Sequence, residues 1–166
     1  MNFKKISLML IFIVFASNIL EAKPKSSGKF KDWQTFVANT DKGKICFAQS
    51  LPTERAPKKF KRGKSKIFVT FRPSENIKDE VSITSGHIYK SSSVSIKSGK
   101  NKYSLFSQDN FAWISDEDEE LRFIKVMKKA NSIMVTANEP KGSQTVDHYS
   151  MMGFTKAYNK AKKDCS

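Results

Sequence analysis

Chemistry has few places to reside in this sequence. Two histidines, two cysteines and one contiguous acidic run, Asp116-Glu117-Asp118-Glu119-Glu120, are the groups whose types suit catalysis or metal binding. His87 stands in a Ser-Gly-His-Ile-Tyr turn, and His148 follows Asp147 within a strand-like run. Adjacent strand residues point to opposite faces, so Asp147 is badly placed to orient His148 as a base. The acidic run lacks the alternating oxygen ligands and central glycine of a calcium loop. Two Cys and two His are too few for a multi-ligand zinc module or an iron–sulfur centre. A Gly-rich phosphate loop, a Gly-x-Ser-x-Gly elbow and a His-Glu-x-x-His pair are all missing from the chain. The expectation is a non-enzymatic protein with neither cofactor nor metal.

Binding chemistry is better represented. The chain of 166 residues carries 30 Lys and Arg against 16 Asp and Glu, a formal charge of +14. Such a balance points to polyanionic partners or surfaces. Seven of the twelve residues between positions 55 and 66 are basic: Arg55, Lys58, Lys59, Lys61, Arg62, Lys64 and Lys66. Pro52 and Pro57 precede or punctuate this run, which places it in a loop. These seven residues are the candidate partner-binding set. Lys156, Lys160, Lys162 and Lys163 form a second basic cluster. A solubilising, solvated loop is the plainer alternative for the first cluster.

The compartment follows from the beginning of the chain. Lys4 and Lys5 precede an apolar run from Ile6 to Ala16, and Ala22 offers a small residue for cleavage. Eleven residues of helix span only about half of a ~30 Å hydrocarbon core, so residues 1–22 read as an export signal and not as an anchor. No later run is long enough to span a bilayer, and the mature chain 23–166 is expected as one exported domain, periplasmic or secreted. It retains 28 basic and 15 acidic residues, a formal +13. Nucleic acid is the usual partner of such a charge, but exported proteins meet little of it. Anionic lipid, wall polymer or an acidic host-cell surface suits the compartment better. Export also permits oxidation, so Cys46 and Cys165 read as a disulfide closing nearly the whole domain. Leu, Ile, Val and Phe make up only 29 of the 144 mature residues, which predicts a thin core in need of such a tie.

These groups must be positioned by strands. Period-two runs of β-branched and aromatic residues recur over 33–39, 44–50, 66–72, 80–85, 94–97, 102–106, 111–114, 132–138 and 145–152. Residues 23–29 read as a mobile lead-in. In 66–72, Ile67, Val69 and Phe71 alternate with Phe68 and Thr70, which predicts a strand between two apolar layers. Nine short strands with regular turn signals predict an all-β antiparallel sandwich. The runs are shorter than the ~9–11 residues of an outer-membrane barrel strand. Helical spacing predicts one helix over 115–130, with Ser115 and Asp118 as a capping box, and a shorter one over 154–163.

Several segments, in order, resemble the invasion-associated locus B (IalB) proteins of alphaproteobacteria. They are Phe30-Lys31-Asp32-Trp33, Cys46-Phe47-Ala48-Gln49-Ser50, Arg62-Gly63 leading into Ile67-Phe68-Val69-Thr70-Phe71-Arg72-Pro73, and Asp79-Glu80-Val81-Ser82. Leu105-Phe106, Ala112-Trp113 and Ile133-Met134-Val135 follow, and the block 147–157 ends the series ahead of Cys165. The resemblance implies an immunoglobulin-like antiparallel β-sandwich with one or two short helices and a role in host-cell invasion or envelope biology. It implies no catalytic residues.

Overall fold

The computed structural model describes residues 23–166, so the export segment expected over 1–22 lies outside the described residues. Eleven strands among those residues form an all-β, sandwich-like fold with two short helices. The first layer is built from β1 (Lys25–Phe30), β2 (Trp33–Thr40), β3 (Gly43–Ser50), β5 (Lys66–Arg72), β6 (Ile77–Thr84) and β9 (Phe111–Trp113). The second contains β7 (Val94–Ser98), β10 (Ser132–Asn138), β11 (Gln144–Ser150) and the short β4 (Glu54–Ala56). β8 (Asn101–Gln108) joins the layers: its first half pairs with β7 and its end, from Phe106 to Gln108, pairs with β9. All pairings are antiparallel, in the order β1-β2-β3-β5-β6-β9-β8-β7-β10-β11-β4.

Alternation decides which side chains meet. Trp33, Ala48, Ile67, Val69, Val81 and Ile83 of the first layer are fully buried, facing Ile96, Ile133, Val135 and Tyr149 of the second. Where the second layer ends, the helices take over. α1 (Glu117–Lys129) buries Phe123, Ile124 and Met127, with the Phe123 ring 4.8 Å from that of Tyr103. α2 (Phe154–Asp164) lays Phe154 against Trp33 at 4.8 Å between ring centres and Tyr158 against Phe71 at 5.6 Å. The entry to α2 requires glycine: Gly153 has φ 93°, and a Cβ there would lie 1.9 Å from the Phe30 carbonyl oxygen. No helix among the described residues is long and apolar enough to cross a membrane.

α2 carries the chain end back over β3. Cys165 thereby reaches Cys46, a fully buried residue of the inner row, and the two are joined in a disulfide with Cα atoms 5.7 Å apart. Two polar contacts tie the helices to β6. Tyr158 donates its hydroxyl proton to the buried Asp79 carboxylate, and Glu120 Oε1 accepts the Val81 N–H at 2.6 Å. The three-residue β9 pairs only with Ser82 and Ile83, so Val81 lies beyond its reach, and the Glu120 carboxylate takes the place of a strand partner.

Four expectations are corrected. The lead-in 23–29 is largely a strand, β1, because its Gly- and Ser-containing stretch pairs with β2 across a bulge between Ser26 and Gly28. Glu54–Ala56 is also a strand, recruited by the free edge of β11. The N-cap of α1 is Asp116 and not Ser115: its carboxylate accepts the Glu119 N–H at 2.7 Å, the same bond shifted by one residue. β5 faces a covered layer on one side only. Its other face, bearing Phe68, is overlaid by no described element.

Candidate anion-binding loop

The basic run forms the crossing between layers. β4 is held at the edge of the second layer by β11, through pairs Ala56 with Val146 and Glu54 with His148. β5 starts at Lys66 in the first layer. The intervening loop is pinned by Arg62. Its guanidinium donates to both Asp147 oxygens, at 2.7 and 2.6 Å, and to Ser65 Oγ at 2.9 Å and the Ser85 carbonyl at 2.8 Å. The two side chains are 2% and 1% exposed, so this is an internal ion pair with a forked geometry.

Neighbouring groups complete the anchor. Arg55 donates to the Gly63 carbonyl at 2.5 Å and brings its Nε to 3.9 Å from Asp147. The Gly63 N–H donates to the Gly86 carbonyl at 2.8 Å, a contact that only glycine at 86 allows. Its φ is 76°, and a Cβ would stand 2.3 Å from the Gly63 oxygen. His87 shares a hydrogen bond between Nε2 and Thr145 Oγ1 at 2.9 Å, and its ring meets the edges of Phe60 and Tyr89. Burial pushes the Tyr89 hydroxyl up to about 12, partly opposed by its hydrogen bond to Ser85. Burial, with the Asp147 charge adding to it, raises Tyr149 well above the ordinary tyrosine range. Both rings stay neutral, leaving Asp147 as the anion that meets the two arginines.

The seven predicted basic residues therefore divide by role. Lys58, Lys59, Lys61 and Lys64 are exposed and make no ion pair among the described residues. Lys66 is half-buried and sets its ammonium 5.8 Å from the centre of the Phe68 ring. Arg55 is partly exposed and turned toward Asp147. Arg62 faces inward, which corrects its placement in a partner-binding set: an outward residue cannot satisfy a buried carboxylate. The signal was Asp147 itself, an acid within a strand that alternates Thr145-Asp147-Tyr149 against Val146-His148-Ser150. Neither set is apolar enough to announce which faces inward, so the need for an internal cation stayed hidden.

Four ammonium groups on a loop held by buried bonds form a concentrated positive surface. Lysine presents a hydrated point charge without the fixed fork of arginine, so the loop suits carboxylate, sulfate or phosphate groups without demanding one geometry. In the second cluster, Lys160 is paired with Asp164, while Lys162 lies 5.9 Å from the Tyr158 ring centre. His148 is half-buried and Asp147 buried, on opposite faces as strand geometry requires. Comparison of the chain with family models, with curated proteins and with solved structures finds no match.

Proposed function

We propose that this chain is an exported, non-enzymatic binding protein that holds anionic surfaces through the loop bearing Lys58, Lys59, Lys61 and Lys64. The observation that carries this is their arrangement: four exposed lysines without internal partners, on a loop fastened by the buried Arg62–Asp147 pair. A loop serving solubility alone has no need of such an anchor. The disulfide fits an oxidising compartment. The resemblance to invasion-associated locus B proteins supports a host-cell surface as the target. The strong positive charge supports an anionic envelope polymer or lipid equally, and fractionation separates the two: surface or medium for the first, periplasm for the second.

The test replaces the four lysines with glutamine and measures binding to inorganic polyphosphate as salt is raised. Each lysine that contacts the polyanion contributes about one unit to the slope of log K against log salt. The quadruple variant is expected to lose most of that slope. An unchanged slope assigns the loop to solubility and removes this function.

A further inference from the structure

The outer face of the first layer carries an aromatic ribbon that the thin core makes conspicuous. Phe36 on β2 stacks on Phe47 of β3 at 5.2 Å between ring centres, and Phe47 meets Phe68 at 6.0 Å. Phe68 leads to Phe111 at 6.4 Å, Phe111 to Trp113 at 5.9 Å, and Trp113 to Phe106 at 6.4 Å. Phe106 is 58% exposed and the others are half-buried, with no described element laid over them. A contiguous ribbon of partly exposed rings such as this is a candidate interaction surface.

Strand register shows what accompanies the rings. One row of outward side chains crosses six strands in paired order: Gln34, Gln49, Phe68, Ser82, Trp113 and Phe106. Ser82, only 7% exposed, lies between Phe68 and Trp113 in this row, and the Phe111 ring bridges the two. With strands about 4.8 Å apart, the row from β2 to β8 runs for about 24 Å. The row itself holds no carboxylate, but Glu80, Glu117 and Glu120 line the hollow at its Trp113–Phe106 end, so an anionic group is favoured only toward Lys66 and Lys29. Lys29 extends it at one end through its pairing with Gln34, and Lys66 flanks it above Phe68, two residues from the lysine loop.

We propose that this face binds a linear polysaccharide bearing carboxylate or sulfate groups. Its sugar rings lie along Phe68, Trp113 and Phe106, and its acidic groups reach Lys66 and the lysine loop. Three properties select that occupant. Amide side chains donate and accept at once, as sugar hydroxyls do, and they stand in the same row as the rings. The cations at the Lys29 and Lys66 margins call for an anionic chain whose acidic groups sit there, with uncharged sugar faces at the Trp113–Phe106 end beside Glu80, Glu117 and Glu120. A second copy of this protein would bring a formal +13 against another +13, with Lys29 and Lys66 at the contact. The inference rests on the lysine loop as an anion site and adds the sugar rings as the second recognised feature.

Two probes of like charge separate the two ideas: polygalacturonate, which has sugar rings, and inorganic polyphosphate, which has none. Binding is measured by calorimetry for the wild type, for Phe106→Ala, for Phe68→Ala with Trp113→Ala, and for the four-lysine variant. The ring variants are expected to lose about tenfold or more on polygalacturonate, taking sugar stacking as comparable with base stacking on aromatic side chains. They should hold polyphosphate as before. Tryptophan emission of the wild type should shift with polygalacturonate and not with polyphosphate, since Trp33 is fully buried and Trp113 is the ring within reach. Emission and the exposed Phe106→Ala variant keep the test valid if the double variant does not fold. Ring variants that leave both affinities unchanged, with a silent emission spectrum, overturn the polysaccharide site and spare the loop. A wild type that binds neither probe removes both. A larger ring-dependent loss on poly(U) or on phosphatidylglycerol vesicles than on polygalacturonate overturns this occupant, as does a dimer that Phe106→Ala dissociates.

Discussion

Replacing Glu120 with glutamine should stabilise this protein at neutral and alkaline pH and do nothing in mild acid. Glu120 is 9% exposed, on the side of α1 that meets β6. Burial pushes its carboxyl from 4.5 up to about 7; the Val81 N–H opposes the shift, and the charges of Glu80, Asp79 and Glu117 add to it. Glutamine keeps the oxygen that accepts the Val81 N–H and cannot ionise. One pKa unit corresponds to about 1.4 kcal/mol, so raising the carboxyl from 4.5 to about 7 amounts to about 3 kcal/mol. The sign follows from which state holds the proton. Below the unfolded value of 4.5 the group is protonated in both states, and its contribution to stability is present in full. As pH rises toward 7 the unfolded chain releases the proton first, and stability is lost until the folded carboxyl ionises as well. Urea denaturation of both proteins at about pH 4.5, 6 and 8 tests this, because every other titrating group cancels in the difference. The curves should coincide near the acid end and separate by up to about 3 kcal/mol at about pH 8, glutamine the more stable. A difference that is constant across pH, or a more stable wild type at the alkaline end, refutes the placement of a buried, protonated Glu120.

Other outcomes follow from the anchor and the tie. Asp147→Asn leaves the Arg62 guanidinium buried without a counter-charge and should cost about 3–5 kcal/mol, read from urea midpoints. Changing Lys58, Lys59, Lys61 and Lys64 to glutamine should move stability by no more than about 0.5 kcal/mol each, since exposed side chains without partners hold nothing together. Reducing the Cys46–Cys165 bond, whose ends are 119 residues apart, should lower stability by about 5 kcal/mol on chain entropy. Denaturation with and without a thiol reductant measures it, and identical midpoints would show that packing alone fixes the chain end.

The sequence revealed the strands whose inner rows are plainly apolar. Ile67, Val69 and Phe71 marked β5 as a strand, Val81 with Ile83 gave the inner face of β6, and Cys46 with Cys165 gave the tie between β3 and α2. Elements made by pairing and not by pattern were invisible. β1 is Lys-Ser-Ser-Gly-Lys-Phe, a stretch with no apolar alternation, and becomes a strand because β2 offers an open edge. β4 exists for the same reason beside β11. The loop was legible as a basic cluster, yet Arg62 looked like its neighbours because a buried partner 85 residues away leaves no local mark. The outer face of β5, bearing Phe68, departs from the expected second covering layer for a related reason. Alternating apolar residues predict two covered faces, and local sequence does not distinguish a ring under a second layer from one turned to solvent.

The placement of phenylalanine makes the outer face hard to explain as packing. Ten phenylalanines lie in 23–166, yet only Phe71, Phe123 and Phe154 are buried. Five others, Phe36, Phe47, Phe68, Phe106 and Phe111, sit in the outer ribbon. A chain short of apolar residues gains most by burying each ring fully, since stabilisation scales with the area removed from water. β-Propensity gives no reason for rings here, because Thr and Val occupy strands as readily as Phe. Meanwhile the interior depends on a covalent tie and a buried ion pair for what more apolar residues could supply. A fold that leaves half of its phenylalanines short of full burial on one outer face, with Phe68 and Phe106 in the same row as the amides of Gln34 and Gln49, has those rings placed for a partner's surface and not for its own core.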